Sequence, residues 1–115
     1  MYKHTMVLTY LNLKTSASFE EEHVYHTNEP LVTLSQDLLG NDILKFDFNN
    51  ESWKYFKTVL QSATDSSNMD IKVERAIKRR LKGTSKGIQV CFRGPDNLIW
   101  HVIVKFIETL EVSNH

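Results

Sequence analysis

The chain has few residues of the kinds that cross-link, break or anchor a polypeptide. Its 115 residues include one cysteine, two prolines and four glycines. The single cysteine, Cys91, excludes an internal disulfide and a multi-cysteine metal site, and it fits a reducing cytoplasm. The low glycine and proline content excludes collagen and low-complexity sequence.

No apolar run approaches the roughly 20 residues of a membrane helix, and polar residues interrupt Met1–Tyr10 too often for a signal-peptide core. We therefore expect a cytoplasmic protein with no membrane contact.

The chain also has no net charge, but its charges are unevenly distributed. Hydrophobic residues make up 41% and charged residues 24%, which is typical of one folded domain, here residues 1–115. The 14 basic and 14 acidic groups cancel. Residues 1–71 carry five basic and ten acidic groups, a balance of −5, whereas residues 72–115 carry nine and four, a balance of +5. A local anion-binding surface is compatible with such a distribution.

The hydrophobic pattern predicts three strands in the first half. Residues 4–13 are rich in Thr, Val, Tyr and Leu, with apolar side chains on both faces. Glu22–His26 is typical of a more exposed strand. Ile43–Phe48 alternates apolar and charged residues, which indicates a half-buried strand.

Two helices are predicted between and after these strands. The first would be capped by Thr27 or Asn28, with Pro30 in its first turn, and would end at Gly40. The second would be capped by Asn49, Asn50 or Ser52 and run to about Ser62. Their apolar faces would hold Leu31, Leu34 and Leu38 in the first helix, and Trp53, Phe56 and Leu60 in the second.

A third predicted helix carries six of the 14 basic residues. Asp70 can cap it, Gly83 would end it, and Val73, Ile77 and Leu81 form its apolar stripe. A strand through Ile71–Val73 is the competing interpretation, because both ends of that triplet are β-branched.

The last third predicts a β-hairpin formed by Ile88–Arg93, a turn at Gly94–Asn97, and Leu98–Ile107. The second strand is apolar on both faces, which predicts a central position in the sheet. A four-residue loop would pair Cys91 with Trp100 and place Cys91 and His101 on opposite faces. Cys91 is then expected to be a buried structural thiol, not a nucleophile with His101 as its base.

This order of elements lacks the strict strand–helix alternation of a parallel sheet. We predict an α+β fold, with a mostly antiparallel sheet curled into a small barrel and about three helices.

Other patterns that could carry chemistry have simpler explanations. His23 and His26 would face opposite ways on a strand, so they predict no metal site. Gly83–Gly87 matches no phosphate-binding loop, and the carboxylates at Asp42 and Asp47 fit turns and solvent-facing positions. The sequence therefore predicts no enzyme, no cofactor and no metal.

The basic segment is the best candidate site. Lys and Arg side chains along one surface could contact the phosphates of single-stranded RNA, although no aromatic residues interleave with them. The alternative is a solvated helix face, paired with acidic groups of the same or another molecule. The candidate nucleic-acid-binding residues are Lys72, Arg75, Lys78, Arg79, Lys82, Lys86 and Arg93.

Three stretches, Met6–Leu13, Leu31–Phe48 and Ile88–Ile107, give the chain a layout that resembles the PrgU-like proteins. These are small proteins of plasmid origin in Gram-positive cocci, with a barrel similar to the PUA fold. The resemblance implies a PUA-like barrel and a non-enzymatic regulator that limits production of conjugation adhesins by binding RNA. It assigns no binding residue.

Two function classes follow from the sequence. The first is a cytoplasmic RNA-binding regulatory protein. The second is a protein-interaction module, such as an inhibitor or an oligomeric accessory factor, which would bind a protein partner or self-associate and would not bind nucleic acid.

Overall fold

A computed structural model of the chain describes residues 1–40, 42–79, 87–94 and 99–112. These residues form six strands and two helices. In chain order they are β1 (Tyr2–Asn12), β2 (Ser18–Thr27), β3 (Val32–Gln36), β4 (Asp42–Phe46), α1 (Glu51–Ala63), α2 (Met69–Arg79), β5 (Gly87–Arg93) and β6 (Trp100–Leu110).

The strands form one antiparallel sheet of four strands, in the order β2-β1-β6-β5, and a separate antiparallel pair, β3-β4. This confirms an α+β fold with a mostly antiparallel sheet. It also confirms the central position predicted for the last strand, because β6 lies between β1 and β5. Among the described strands, however, β2 and β5 stay at opposite edges and do not close into the expected barrel.

One face of the four-stranded sheet is buried, and we call it the core face. Its residues are at even-numbered positions of β1, β5 and β6, as the alternation of side chains along a strand requires. Rings from other elements pack on it: Trp53 and Phe56 of α1 have centroids 5.8 and 6.2 Å from that of Phe106, and Phe46 of β4 lies 5.9 Å away. The buried residues of this face include Met6, Leu8, Ile88, Val90, Phe92, Val102, Val104 and Phe106.

Helix α1 follows its prediction closely. Asn50 is the N-cap, and its side-chain oxygen accepts a hydrogen bond of 2.8 Å from the Ser52 N–H. The predicted apolar side chains Trp53, Phe56 and Leu60 are all buried. A cap and a regular apolar stripe were therefore enough to locate this helix.

The helix predicted before Gly40 is wrong, because this segment forms β3 and a turn. Val32 and Thr33 are β-branched and favour an extended backbone. At the turn, Gly40 has φ +81° and donates to Asp37 O over 3.1 Å. Leu38, expected on a buried helix face, is fully exposed. The first of the three helices that the sequence predicted is thus absent from the described residues.

Helix α2 confirms the predicted helix and makes the competing strand at Ile71–Val73 wrong. It begins at Met69, so Asp70 lies in its first turn and is not its cap. Val73 and Ile77 are buried as predicted. The predicted Leu81 and the predicted helix end at Gly83 lie outside the described residues.

The predicted register of the last hairpin is wrong by three residues. Cys91 pairs with Ile103, whereas a four-residue loop would have paired it with Trp100. Gly94 does not start the turn: it still donates to Trp100 O over 3.0 Å. A Cβ atom at position 94 would lie 2.6 Å from Trp100 Cβ, so this close approach requires glycine. The remaining predicted turn residues, 95–97, lie outside the described residues.

Candidate functional site

The basic helix α2 is fixed to the rest of the molecule at its N-terminal end. Asp70 accepts a 2.8 Å hydrogen bond from Trp53 Nε1 and a 3.1 Å bond from Lys57 Nζ. Both donors lie on α1, so one carboxylate connects the two helices. A negative group in the first turn also interacts favourably with the helix dipole.

Lys72 is the first predicted site residue on α2, and it packs against the sheet. Its Nζ atom lies 5.2 Å from the centroid of the Phe92 ring, within the range of a cation–π interaction. Phe92 is buried on the core face, so the stem of Lys72 covers part of that ring. Its ammonium group is held at the margin of the core.

Arg75 extends the basic surface outward from Lys72. It is exposed, three residues beyond Lys72. At 100° per residue, helical positions 72, 75 and 79 fall within a sector of about 60°, to one side of the buried stripe of Met69, Val73 and Ile77. The helix therefore presents a basic stripe that we define by Lys72, Arg75 and the position of Arg79.

The other candidates do not all join this stripe. By the same geometry, position 78 lies about 120° from position 72 and about 60° from position 75, so it falls beyond the edge of the stripe on the side of Arg75. Lys82 and Lys86 lie outside the described residues. Arg93 follows Phe92 on β5, so it belongs to the face of the sheet opposite the core and α2. The structure thus brings Lys72 and Arg75 together and separates Arg93 from them.

This stripe has the chemistry of a phosphate-contacting surface without base-specific groups. A guanidinium and an ammonium group one helical turn apart can each pair with a phosphate oxygen. The α2 sequence has four basic and two acidic residues and no aromatic ring on which a base could stack. Contacts from this helix would bind the backbone of a nucleic acid and not select its sequence.

Cys91 lies near His101, contrary to prediction. The shifted register puts both on the same face, with Sγ 4.0 Å from His101 Nδ1. Cys91 is also exposed, so the expectation of a buried thiol is wrong. The contact is diagonal between neighbouring strands, as expected for residues two positions out of direct pairing.

We call the face opposite the core the open face, because no described helix or hairpin covers it. The β1–β6 register places Thr5 opposite Ile107, Val7 opposite Lys105, and Thr9 opposite Ile103. None of these side chains is fully buried. The face includes Lys3, Thr5, Val7, Thr9 and Leu11 of β1, Glu20, Glu22, Val24 and His26 of β2, Cys91 and Arg93 of β5, and His101, Ile103, Lys105 and Ile107 of β6.

Charges on the open face are separated by sign across the strands. One row runs Glu22, Val7, Lys105 from β2 to β6. With strands about 4.8 Å apart, the Glu22 and Lys105 backbones are roughly 10 Å apart. The ion pairs found among the described residues include neither of them. Glu20 and Glu22 therefore lie on the edge strand β2, and Lys105 lies on β6 between Ile103 and Ile107. These two isoleucines, Val7 and Leu11 form the apolar part of the two central strands. This arrangement could not be predicted from the sequence, because it depends on the order of the strands in the sheet.

A buried polar cluster on the core side was also missed. His4 is 1% exposed, and its Nε2 atom lies 2.7 Å from Thr27 Oγ1. Since the Thr27 hydroxyl donates to Glu29 O over 2.6 Å, its oxygen accepts from His4. The other ring nitrogen, Nδ1, lies 3.4 Å from Glu108 Oε2. The chain gives no local signal for this cluster, whose members come from β1, β2 and β6.

Glu108 connects the sheet to the β3–β4 hairpin. Its Oε2 atom accepts hydrogen bonds from the N–H groups of Leu31, over 2.7 Å, and Val32, over 3.0 Å. Partial burial alone would raise its pKa, but the His4 ring and these two donors outweigh burial and lower the pKa of Glu108 below its ordinary value. The carboxylate thus holds the entry to β3 in an extended conformation.

Three aromatic rings cluster at one end of the sheet. Tyr10 stacks on Phe19 with centroids 4.5 Å apart, and Phe19 meets Trp100 edge-on at 5.9 Å. The Tyr10 hydroxyl donates to Glu21 over 3.3 Å. Partial burial and the charge of Glu21 raise the pKa of Tyr10 to about 12. The close stacking leaves no gap between the first two rings for a ligand.

The histidines of β2 lie as the sequence predicted. His23 and His26 are three positions apart on a strand, so they belong to opposite faces, and each lies 3.4 Å from a different carboxylate, Glu21 or Glu111. No group of three potential metal ligands occurs among the residues that the structure describes. Among the same residues, no helix is long and apolar enough to cross a membrane.

Comparison with protein families, curated proteins and solved structures yields no match to this chain.

Proposed function

We propose that the chain is a cytoplasmic, non-enzymatic regulatory protein that binds RNA through the basic stripe of α2. The role is the one that its resemblance to PrgU-like proteins implies. The resemblance also implies a PUA-like barrel, which the described strands do not form.

One observation carries the proposal: Lys72 and Arg75 lie side by side on a helix whose inner face is fixed to the core. Asp70 anchors this helix to Trp53 and Lys57, so the stripe is held in place before any ligand arrives. A preorganised cationic surface loses less side-chain entropy on binding than a flexible one. Phosphate contacts of this kind confer affinity that falls with salt concentration.

A salt titration tests the proposal directly. A fluorescently labelled single-stranded RNA of mixed sequence would be titrated with the protein from about 50 to about 200 mM salt. We expect the logarithm of the association constant to fall linearly with the logarithm of salt concentration. Arg75→Ala should make that slope shallower by about one phosphate contact.

Lys54→Ala is the matched control, because Lys54 is an exposed lysine of α1 and does not belong to the stripe. It should leave both the affinity and the slope unchanged. The proposal fails if micromolar protein does not retain RNA at low salt, or if Arg75→Ala and Lys54→Ala have equal effects.

A second candidate function is a protein-interaction module. The open face favours it, because that face combines a central apolar strip with uncovered charges of both signs. A pull-down from the native cytoplasm should then recover a stoichiometric protein, or more of the same chain, that survives nuclease treatment. If all captured material is lost with nuclease, this candidate is wrong.

A further inference from the structure

We propose that the open face is the interface of a symmetric homodimer, in which two copies of the four-stranded sheet pack face to face. This inference rests on the second candidate function and names its partner. It is independent of RNA binding by α2, which lies on the other side of the sheet.

The first support is that the open face carries apolar side chains on its two central strands, as the buried surface of a β-sandwich does. Val7, Leu11, Ile103 and Ile107 alternate with the core residues along the two central strands. An antiparallel sheet with one solvated face normally carries polar residues at these positions. Two sheets that pack face to face bury such side chains between layers about 10 Å apart.

The second support is that one charged row of the face complements itself. The acidic groups Glu20 and Glu22 lie on β2, and Lys105 lies two strands away on β6. A two-fold axis parallel to the strands and above β1 sets β2 of one copy over β6 of the other. Each Glu22 then lies across from Lys105 of the second copy, and symmetry repeats the contact.

The same pattern disfavours two other arrangements of two copies. A two-fold axis perpendicular to the strands, in the plane between the sheets, would set β2 over β2 and oppose glutamates to glutamates. Pairing of two β2 edges would also bring together the Glu20–Glu22 runs of both copies. Like charges in direct opposition are unfavourable in both cases. In the proposed arrangement such opposition is confined to Lys3, which lies near the end of β1 and faces its own copy.

The overlap of the two copies reaches the lower limit of a specific interface. With the axis above β1, the three strands β2, β1 and β6 overlap, and eleven residues of β1 by three strands give a flat footprint of about 500 Å² per copy. The total of about 1,000 Å² is the minimum expected for a biological interface. Because the chain has no net charge, two copies do not repel each other at long range.

RNA is a poorer occupant of this face. Modules that bind single-stranded RNA on a sheet stack its bases on aromatic side chains. The described residues of the open face include no Phe, Tyr or Trp. Its acidic side would also repel phosphates.

Charge reversal tests the proposed dimer. Analytical ultracentrifugation of the full chain should show a species of twice 13.4 kDa. Glu22→Lys and Lys105→Glu should each raise the dimer dissociation constant at least about tenfold, since each places like charges across the interface twice. An equimolar mixture of the two variants should form a heterodimer, because each then supplies the charge that the other lacks. The double variant should dimerise about as well as the original chain.

Lys54→Glu is the matched control, an exposed charge reversal on α1 that should leave dimerisation unchanged. Recovery in the mixture separates a lost contact from misfolding, because an unfolded variant would not be rescued by its counterpart.

The proposal is overturned if the chain stays monomeric at about 100 μM, a concentration at which an interface of this size should associate. It is also overturned if both reversals act no more strongly than Lys54→Glu. A monomer whose RNA affinity rises with Glu22→Lys would show that this face binds nucleic acid instead. None of these results would alter the effect of Arg75→Ala on RNA binding.

Discussion

The two faces of the four-stranded sheet come from the same strands but serve different purposes. On the core face, Phe106 and its neighbours are covered by α1 and by β4, and their burial holds the fold together. On the open face, Ile103 and Ile107 are equally apolar but have no cover among the described elements. An apolar residue on a strand is more stable when it is buried. Whether its own chain buries it depends on how the other elements pack.

The largest expected effect is a cavity in the core face. Phe106→Ala should lower the free energy of unfolding by about 3–5 kcal/mol, because the ring contacts both α1 and β4. Ile107→Ala, one residue further on the open face, should cost only about 1 kcal/mol in dilute protein. Urea denaturation of both variants measures the contrast. Equal losses would mean that the two faces are equally buried in the folded chain.

The next effect concerns the carboxylate that connects the core side to β3. Glu108→Ala should cost about 2–4 kcal/mol, because it leaves the N–H groups of Leu31 and Val32 without an acceptor and His4 without its carboxylate. Glu20→Gln on the open face should change stability little. Thermal or urea denaturation provides the measurement, and a loss below about 0.5 kcal/mol for Glu108→Ala would contradict the role assigned to it.

The same carboxylate predicts a pH dependence. The pKa of Glu108 is lower in the folded chain than its ordinary value of 4.5. Its contribution to stability is therefore complete above about pH 4.5 and is lost as the pH falls through the folded-state pKa. Denaturation across this acidic window should show a smaller loss of stability for Glu108→Gln than for the original chain. Parallel curves would show that Glu108 does not contribute.

A smaller effect is expected at the contact that anchors α2 over the core face. Asp70→Ala removes the acceptor of Trp53 Nε1 and of Lys57, and should cost about 1–2 kcal/mol. Asp70→Asn keeps one oxygen acceptor and should cost less. Tryptophan fluorescence during urea denaturation follows both variants, and identical losses would show that the carboxyl oxygens are not the important atoms.

The smallest effect compares two lysines on opposite faces. Lys72→Met removes the cation over Phe92 and keeps the length of the side chain, so it should cost about 0.5–1 kcal/mol. Lys105→Met on the open face should leave the stability of the dilute monomer unchanged. Chemical denaturation distinguishes them, and a larger loss for Lys105→Met would reverse the comparison.

Predictions from sequence succeeded where one local signal was dominant. Asn50 and the Trp53, Phe56, Leu60 stripe located α1, and the apolar character of both faces of Leu98–Ile107 indicated a central strand. They failed at residues 31–40, where leucine spacing suited a helix. The β-branched Val32 and Thr33 and the distant carboxylate of Glu108 favoured a strand. That carboxylate is some 76 residues away along the chain, beyond the reach of any local pattern.

The candidate site was also predictable only where a local pattern determined the position of a residue. Helical periodicity placed Arg75 on the exposed side of a helix with Val73 inside, but it gave no sign that Lys72 would pack against the Phe92 ring. The exposure of Cys91 depended on the register of β5 and β6, in which Gly94 closely approaches Trp100. Because this register differs by three residues from the predicted one, Cys91 lies on the exposed face and not in the predicted core.

The sequence by itself determined the strand and helix character of the strongly periodic segments and the segregation of its charges along the chain. Only the tertiary structure decided that Glu22 and Lys105 lie in one row, that His4 meets Glu108, and that Arg93 lies across the sheet from Lys72. The physical reason is that side-chain alternation and helical periodicity are local properties of the backbone. Strand order and register arise from contacts between residues far apart in sequence, and these contacts determine which charges share a surface.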